Sequence, residues 1–253
     1  MTRERDLAAR TYPEAGSALK RRAVALLPIG STEPHGPHLP LDTDVIISVE
    51  AARRAAARLA RRGIDALVLP PLAYTIAEFS RGFPGAISVS AETTRALLSD
   101  ICASAAAQGF AAICFVNSHL EPDHLAALRE AATLGTAATG RPVVFPDKTQ
   151  RRWSATLTPE FRSGACHAGR YETSLVMAAA PEAVREAQRV ELPPVAISIG
   201  RKIKEGARTF LEAGGDQAYF GDPGAATIAE GDSTYEALAS MVETEVVEAL
   251  AQT

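Results

Sequence analysis

Short, continuous apolar runs alternate along this chain with longer stretches of helical composition. Residues 22–30 form the first run, almost wholly apolar and ended by Gly30, as expected of a strand buried on both faces. Residues 45–62 are rich in Ala, Leu and Arg and free of Gly and Pro, which predicts a helix closed by Gly63. The same alternation continues with a strand at 65–70, a helix at 91–108 ended by Gly109, and a strand at 111–116. A helix follows at 121–134, entered through Pro122 near its first turn, where a missing N–H costs nothing. A strand is expected at 142–145, a weaker one at 193–198, and helices at 172–180 and 233–251. Residues 199–231 are Gly-rich and read as loop.

Repeated strand–helix alternation predicts an α/β fold, in which a central, mostly parallel sheet is covered by helices on both faces. Such sheets hold ligands beyond the carboxyl ends of their strands. No linker or charge block divides the 253 residues, so one domain spanning 1–253 is expected. The net charge of −4 disfavours a protein built to bind nucleic acid, which needs a concentrated basic surface; a small polar substrate fits better. No apolar run approaches the roughly 18 residues needed to span a bilayer, and the charged residues 1–10 lack the apolar core of a signal peptide. Cys102, Cys114 and Cys166 form no CxxC pair and suit a reducing compartment, so a cytoplasmic location is expected.

The five histidines fall in three short segments. Gly30-Ser-Thr-Glu-Pro-His-Gly-Pro-His-Leu-Pro-Leu-Asp-Thr-Asp44 follows the first strand and packs Glu33, His35, His38, Asp42 and Asp44 together. In extended chain, residues two apart share a side, so Glu33 and His35 can face one site, and Asp44 has two oxygens with which to bridge two ions. Mixed imidazole and carboxylate donors suit Zn²⁺, Mn²⁺ or Fe²⁺. Helix capping is the competing role, most evenly matched for His38 and Asp42. In Asn117-Ser-His-Leu-Glu-Pro-Asp-His124, His119 and Glu121 repeat the two-residue spacing, Asn117, Ser118 and Asp123 suit capping, and His124 suits a supporting place. In Gly164-Ala-Cys-His-Ala-Gly-Arg-Tyr-Glu-Thr-Ser174, His167 can shuttle a proton and Glu172 can bind metal or orient water. Cys166 next to His167 is a poor nucleophile pair, because adjacent side chains rarely point at each other.

On these residues the chain resembles the creatininase (creatinine amidohydrolase) family. The match runs through Pro28-Ile-Gly-Ser-Thr-Glu-Pro-His-Gly-Pro-His-Leu-Pro-Leu-Asp-Thr-Asp44, Phe83-Pro-Gly-Ala-Ile-Ser88, Asn117-Ser-His-Leu-Glu121 and His167-Ala-Gly-Arg-Tyr-Glu-Thr-Ser-Leu175. The resemblance implies a three-layer α/β/α fold, two divalent metal ions per chain and hydrolysis of an amide C–N bond in a small cyclic amide, formamide or peptide-like substrate, through a metal-activated hydroxide. It implies that Glu33, Asp44 and His119 hold one ion, and His35, the shared Asp44 and Glu121 the other. It also implies a homo-oligomer, a hexamer by analogy. His167 is the expected proton donor, positioned by Glu172.

Creatininases carry a tryptophan four residues before the matching histidine, where this chain has Ser163, and an aromatic where it has Leu120. Their absence argues against creatinine itself as substrate. The His167–Ser174 motif is closer to members that trim a precursor peptide, whose Asn-Gly-His-Gly-Gly-Asn motif is not found here. Leu120 and the lone tryptophan, Trp153, are the expected substrate-binding residues, a surface or interface position being the other reading for Trp153. The alternatives to an amidohydrolase are a non-catalytic, metal-stabilised binding or assembly protein of the same fold, and a metal-dependent phosphohydrolase using Arg81 or Arg170.

Overall fold

The computed structural model describes residues 3–252; Met1 and Thr2, the first residues of the charged N-terminal stretch, and Thr253 lie outside the described residues. The elements in order are α1 (Tyr12–Lys20), β1 (Val24–Ile29), α2 (Thr43–Arg61), β2 (Ala66–Val68), α3 (Ala91–Gln108), β3 (Ile113–Asn117), α4 (Pro122–Thr139) and β4 (Val143–Val144). They continue as α5 (Arg151–Ser154), α6 (Pro159–Ser163), α7 (Arg170–Ala179), α8 (Glu186–Arg189), α9 (Ile199–Lys204) and α10 (Ile228–Leu250), with short 3-10 turns between them.

Among the described residues four strands pair in parallel in the order β2-β1-β3-β4. The pleat sorts their side chains into two cores. Val24 and Leu26 of β1, with Cys114 and Val116, pack beneath α2, α7 and α10. Ala25, Leu27 and Ile29, with Ile113 and Phe115, pack beneath α3 and α4. A sheet apolar on both sides thus lies between two helical layers, the three-layer arrangement expected of buried parallel strands.

The structure departs from the sequence expectations in the C-terminal half. No strand forms at 193–198: Pro193 and Pro194 lack N–H donors, and Val195 makes only an isolated bridge with Gly221. The expected loop at 199–231 contains α9, and its aromatic residues Phe210 and Phe220 build a third small core. α4 runs past the expected end through Gly135, where a Cβ would come within 3.1 Å of the Val143 side chain, and stops at the left-handed Gly140. α1, whose first turn is closed by a Thr11–Glu14 capping box, has no counterpart in the expectations. Among the described residues, no helix is long and apolar enough to cross a membrane.

One consequence of the topology matters for the site. β1 connects outward to β2 through α2 on one face, and β3 connects to β4 through α4 on the other, so the direction of winding changes between β1 and β3. Ile29 and Asn117, the last residues of these two strands, are register partners. The loops carrying Glu33 and His35, and His119, therefore leave the sheet side by side at its switch point, where open α/β sheets form a crevice.

Candidate metal centre

Asp44 enters this crevice from the first turn of α2. The approach is close: a Cβ on Gly30 would lie 2.6 Å from the Val45 amide nitrogen and 2.7 Å from Asp44 backbone, so only glycine lets the loop pass. The helix N-terminus also favours the carboxylate. Glu33, His35, Asp44 and His119 are all buried.

The imidazoles are oriented by backbone carbonyls. His119 Nε2 lies 2.7 Å from the Ile76 carbonyl and His35 Nδ1 3.1 Å from that of Glu33, so each donates there and presents its other nitrogen inward. His119 Nδ1 faces Glu33 Oε1 at 2.9 Å and Asp44 Oδ2 at 3.2 Å. His35 Nε2 faces Asp44 Oδ1 at 3.6 Å and Glu172 Oε2 at 3.5 Å. Glu33 Oε2, His35 Nε2 and Asp44 Oδ2 are buried without a hydrogen-bond partner. Converging buried donor atoms of this kind are costly unless a cation occupies the space between them. Two groups with ligand atoms within 4.8 Å of one another can hold one: Glu33, Asp44 and His119, and His35, Asp44 and Glu172. His167 forms a third such group with Glu33 and His35.

The electrostatics show the same tension. Burial opposes the charged form of His35, yet the nearby carboxylates of Asp44, Glu172 and Glu33 raise its pKa to about 9. Burial likewise opposes a charged His119, but Glu33 and Asp44 raise it well above the usual histidine range. Burial would lift Asp44 as well, but the two histidines hold its carboxyl far below the usual range. Burial, with Asp44 nearby, pushes Glu172 up to about 7 against the pull of His35.

Glu172, rather than Glu121, lies beside His35. Glu121 sits at the N-cap of α4, accepts the Phe79 amide at 3.1 Å and lies 3.9 Å from the Nε2 side of His119, away from His35. Glu172, in the first turn of α7, supplies the carboxylate beside His35 and accepts the Ala168 amide at 2.7 Å. Among the described residues no hydrogen bond joins it to the His167 ring. That ring is held by the Pro34 carbonyl, 3.0 Å from Nε2, and lies between His35, at 4.5 Å between centroids, and Phe210, stacked at 4.2 Å. Burial and the charge on His35 push the His167 pKa down to about 4.

Glu33, Asp44, His119, Leu120, Glu121, His167 and Glu172 line a cavity of about 60 Å³ together with Phe79, Cys166, Ile199, Ile203 and Phe210. Trp153 is not on its wall: the ring is packed in the core beneath α10, with Nε1 donating to Glu245 at 2.9 Å, so it is neither a pocket nor a surface residue. His38 is buried against Thr173 at 2.9 Å, and His124 Nε2 donates to Asn117 Oδ1 at 2.9 Å. Burial pushes the Cys166 thiol up, away from nucleophilic chemistry. Arg170 is paired with Glu230, and Arg81 lies 3.9 Å from Glu78. Sequence reasoning missed Phe210, Ile199 and Ile203, whose only signal was apolar residues recurring within a Gly-rich stretch. It also missed Lys148, which is buried with its ammonium 5.7 Å from the Tyr171 ring centroid.

Residues 8–246 match the family described as creatinine amidohydrolase. The chain is 33% identical over 219 residues to the mycofactocin precursor peptide peptidase of Mycolicibacterium smegmatis, an alignment covering 84% of this chain and 79% of that protein. It is 28% identical over 187 residues to the creatinine amidohydrolase of Pseudomonas putida, covering 68% and 70% respectively. A solved creatinine amidohydrolase (creatininase) superposes over 100% of both chains with a TM-score of 0.77 at 21% identity. A structure described as creatininase Mn does so with a TM-score of 0.75 at 22% identity, covering 96% of this chain and 98% of that one.

Proposed function

The chain belongs to the creatininase family, and on that footing we propose that it hydrolyses an amide C–N bond in a small cyclic amide, formamide or peptide-like substrate at a two-metal centre. One observation carries the reading: the two oxygens of Asp44 face two different imidazoles, each already committed through its other nitrogen to a backbone carbonyl. A lone structural ion would not need both sides of the carboxylate. In this reading Glu33, Asp44 and His119 hold one divalent cation and His35, Asp44 and Glu172 the other, with zinc or manganese suited to the mixed donors. Such ions, when bound, polarise an amide carbonyl and acidify water near neutral pH.

The remaining chemistry falls to side chains. His167 is neutral at pH 7, its Nε2–H is committed to Pro34, and Nδ1 is the ring's remaining acceptor. It takes a proton from the water whose oxygen bonds to the carbonyl carbon, and returns it to the nitrogen as the C–N bond breaks. Phe210, stacked on the ring, fixes its plane, and Glu121 holds the Phe79 amide at the cavity wall. Phe79, Leu120, Ile199 and Ile203 keep the reacting centre apolar on its outer side.

The test is to load the protein with Zn²⁺ or Mn²⁺ and screen lactams, formamides and short peptides for paired release of a carboxylate and an amine by mass spectrometry. Turnover in one of these classes is expected. A fully loaded protein inert toward all three would favour the non-catalytic binding role.

A further inference from the structure

The cavity at the cluster, about 60 Å³, accommodates a handful of water-sized groups, enough for a reacting amide and little else. Beside it opens a groove of about 620 Å³, within the range of sites that enclose a drug-sized ligand. Leu120, Cys166, Ile199 and Ile203 line both, so the groove is the outer continuation of the cavity and an apolar collar separates the two. α9 makes the junction. Its Ile199 and Ile203 are four residues apart and reach both spaces, whereas Arg201 and Lys204 line only the groove.

The groove is one-sided in charge. Arg151, Arg162, Arg201 and Lys204 line it, and no Asp or Glu does, although the chain has 30 acidic residues against 26 basic. These cations are also poorly neutralised. Among the described residues Arg151 and Lys204 form no ion pair, Arg162 donates only to the Ala155 carbonyl at 3.3 Å, and Arg201 has Glu205 at 3.5 Å. By contrast, Arg54 and Arg58 bind acids of α10, and Arg152 binds Glu248. A concave wall of one sign focuses its field on whatever enters.

We propose that this groove is a subsite for a carboxylate carried by the substrate at a distance from the amide that is cut, bound by the guanidinium groups of Arg151 and Arg162 with Arg201 and Lys204 adding charge. The proposal rests on the amidohydrolase reading, because it assigns the groove to the part of the substrate the small cavity cannot hold. Arginine is suited to the task by its paired N–H donors. The substrate class this selects is an acidic amide, such as a short peptide with a free carboxyl end, over an uncharged one.

The test uses metal-loaded protein and two tetra-alanine probes with a neutral coumarin label at the amino end, one ending in a free carboxylate and one in a carboxamide. Fluorescence anisotropy should give about tenfold tighter binding of the carboxylate probe, the scale of one charge-assisted contact. That preference should shrink at about 0.5 M salt. It should fall to about one in the Arg151→Gln/Arg162→Gln double variant, with metal content unchanged. Equal binding of the two probes by the wild type, undetectable binding of either, or an intact preference in the variant overturns the subsite. Cleavage of the probes is followed in parallel. Failure to cleave a probe that binds, with lactams and formamides inert as well, counts against amide hydrolysis and leaves the carboxylate preference standing.

Discussion

Asp44 Oδ2 lies 3.2 Å from Nδ1 of His119, while the other oxygen of the same carboxylate lies 3.6 Å from Nε2 of His35. The two imidazoles approach one carboxylate from two loops that belong to neighbouring parallel strands. Protons on the two rings offset the buried charges of Glu33 and Asp44, while Glu172, pushed up to about 7, is only partly ionised at neutral pH. A metal ion must displace those protons.

Metal binding should therefore release protons and strengthen with pH. His35 is raised to about 9 and His119 lies well above the usual range, so both rings are protonated at pH 7 in the absence of metal. Loading both positions at pH 7 should release about two to three protons, one from each ring and part of one from Glu172. Calorimetric titration in buffers of differing ionisation enthalpy measures the number. Apparent affinity should rise from pH 6 toward pH 9; an affinity flat across that range would contradict the assignment.

His167→Gln should retain the metal and lose turnover. Gln keeps a donor for the Pro34 carbonyl but cannot accept and return a proton, so kcat should fall about 10²- to 10⁴-fold with little change in metal content. A kcat within tenfold of the wild type would assign proton transfer elsewhere.

The α2–α10 contact should weaken in acid. Burial opposes ionisation of Glu243, but hydrogen bonds and charges from Arg58 and Arg62 together hold its carboxyl below its usual 4.5. A depressed carboxyl stabilises the fold fully above about pH 4.5 and loses that contribution as pH falls through its folded value. Arg62 is 57% exposed and screened by solvent, so the contribution is about 1 kcal/mol. Glu243→Gln should unfold more easily than the wild type at pH 7, and the difference in Tm should narrow as pH falls below about 4.5. A difference independent of pH would assign the effect to packing.

Much of this arrangement is legible in the sequence because it depends on local pattern. The apolar runs of β1 and β3 identify buried parallel strands, and the polar segments that follow them mark the crevice; Glu33, His35 and His119 lie where that rule puts them. What is not legible depends on distant packing. Glu121 and Glu172 are equally plausible partners of His35 on spacing, and only the docking of α7 brings Glu172 within 3.5 Å. Phe210 belongs to a Gly-rich stretch without periodicity, yet it stacks on His167 because a third apolar cluster folds over the crevice. Trp153 illustrates the reverse: a lone aromatic that suggested a pocket is held in the core by the Glu245 carboxylate.

The central claim is that Asp44 bridges two metal ions, and elemental analysis of metal per chain tests it most directly. The wild type, loaded with Mn²⁺ or Zn²⁺ and freed of excess, should hold about two ions per chain, Glu172→Gln about one, and Asp44→Asn almost none while remaining folded by circular dichroism. A folded Asp44→Asn protein that retains two ions per chain would contradict it.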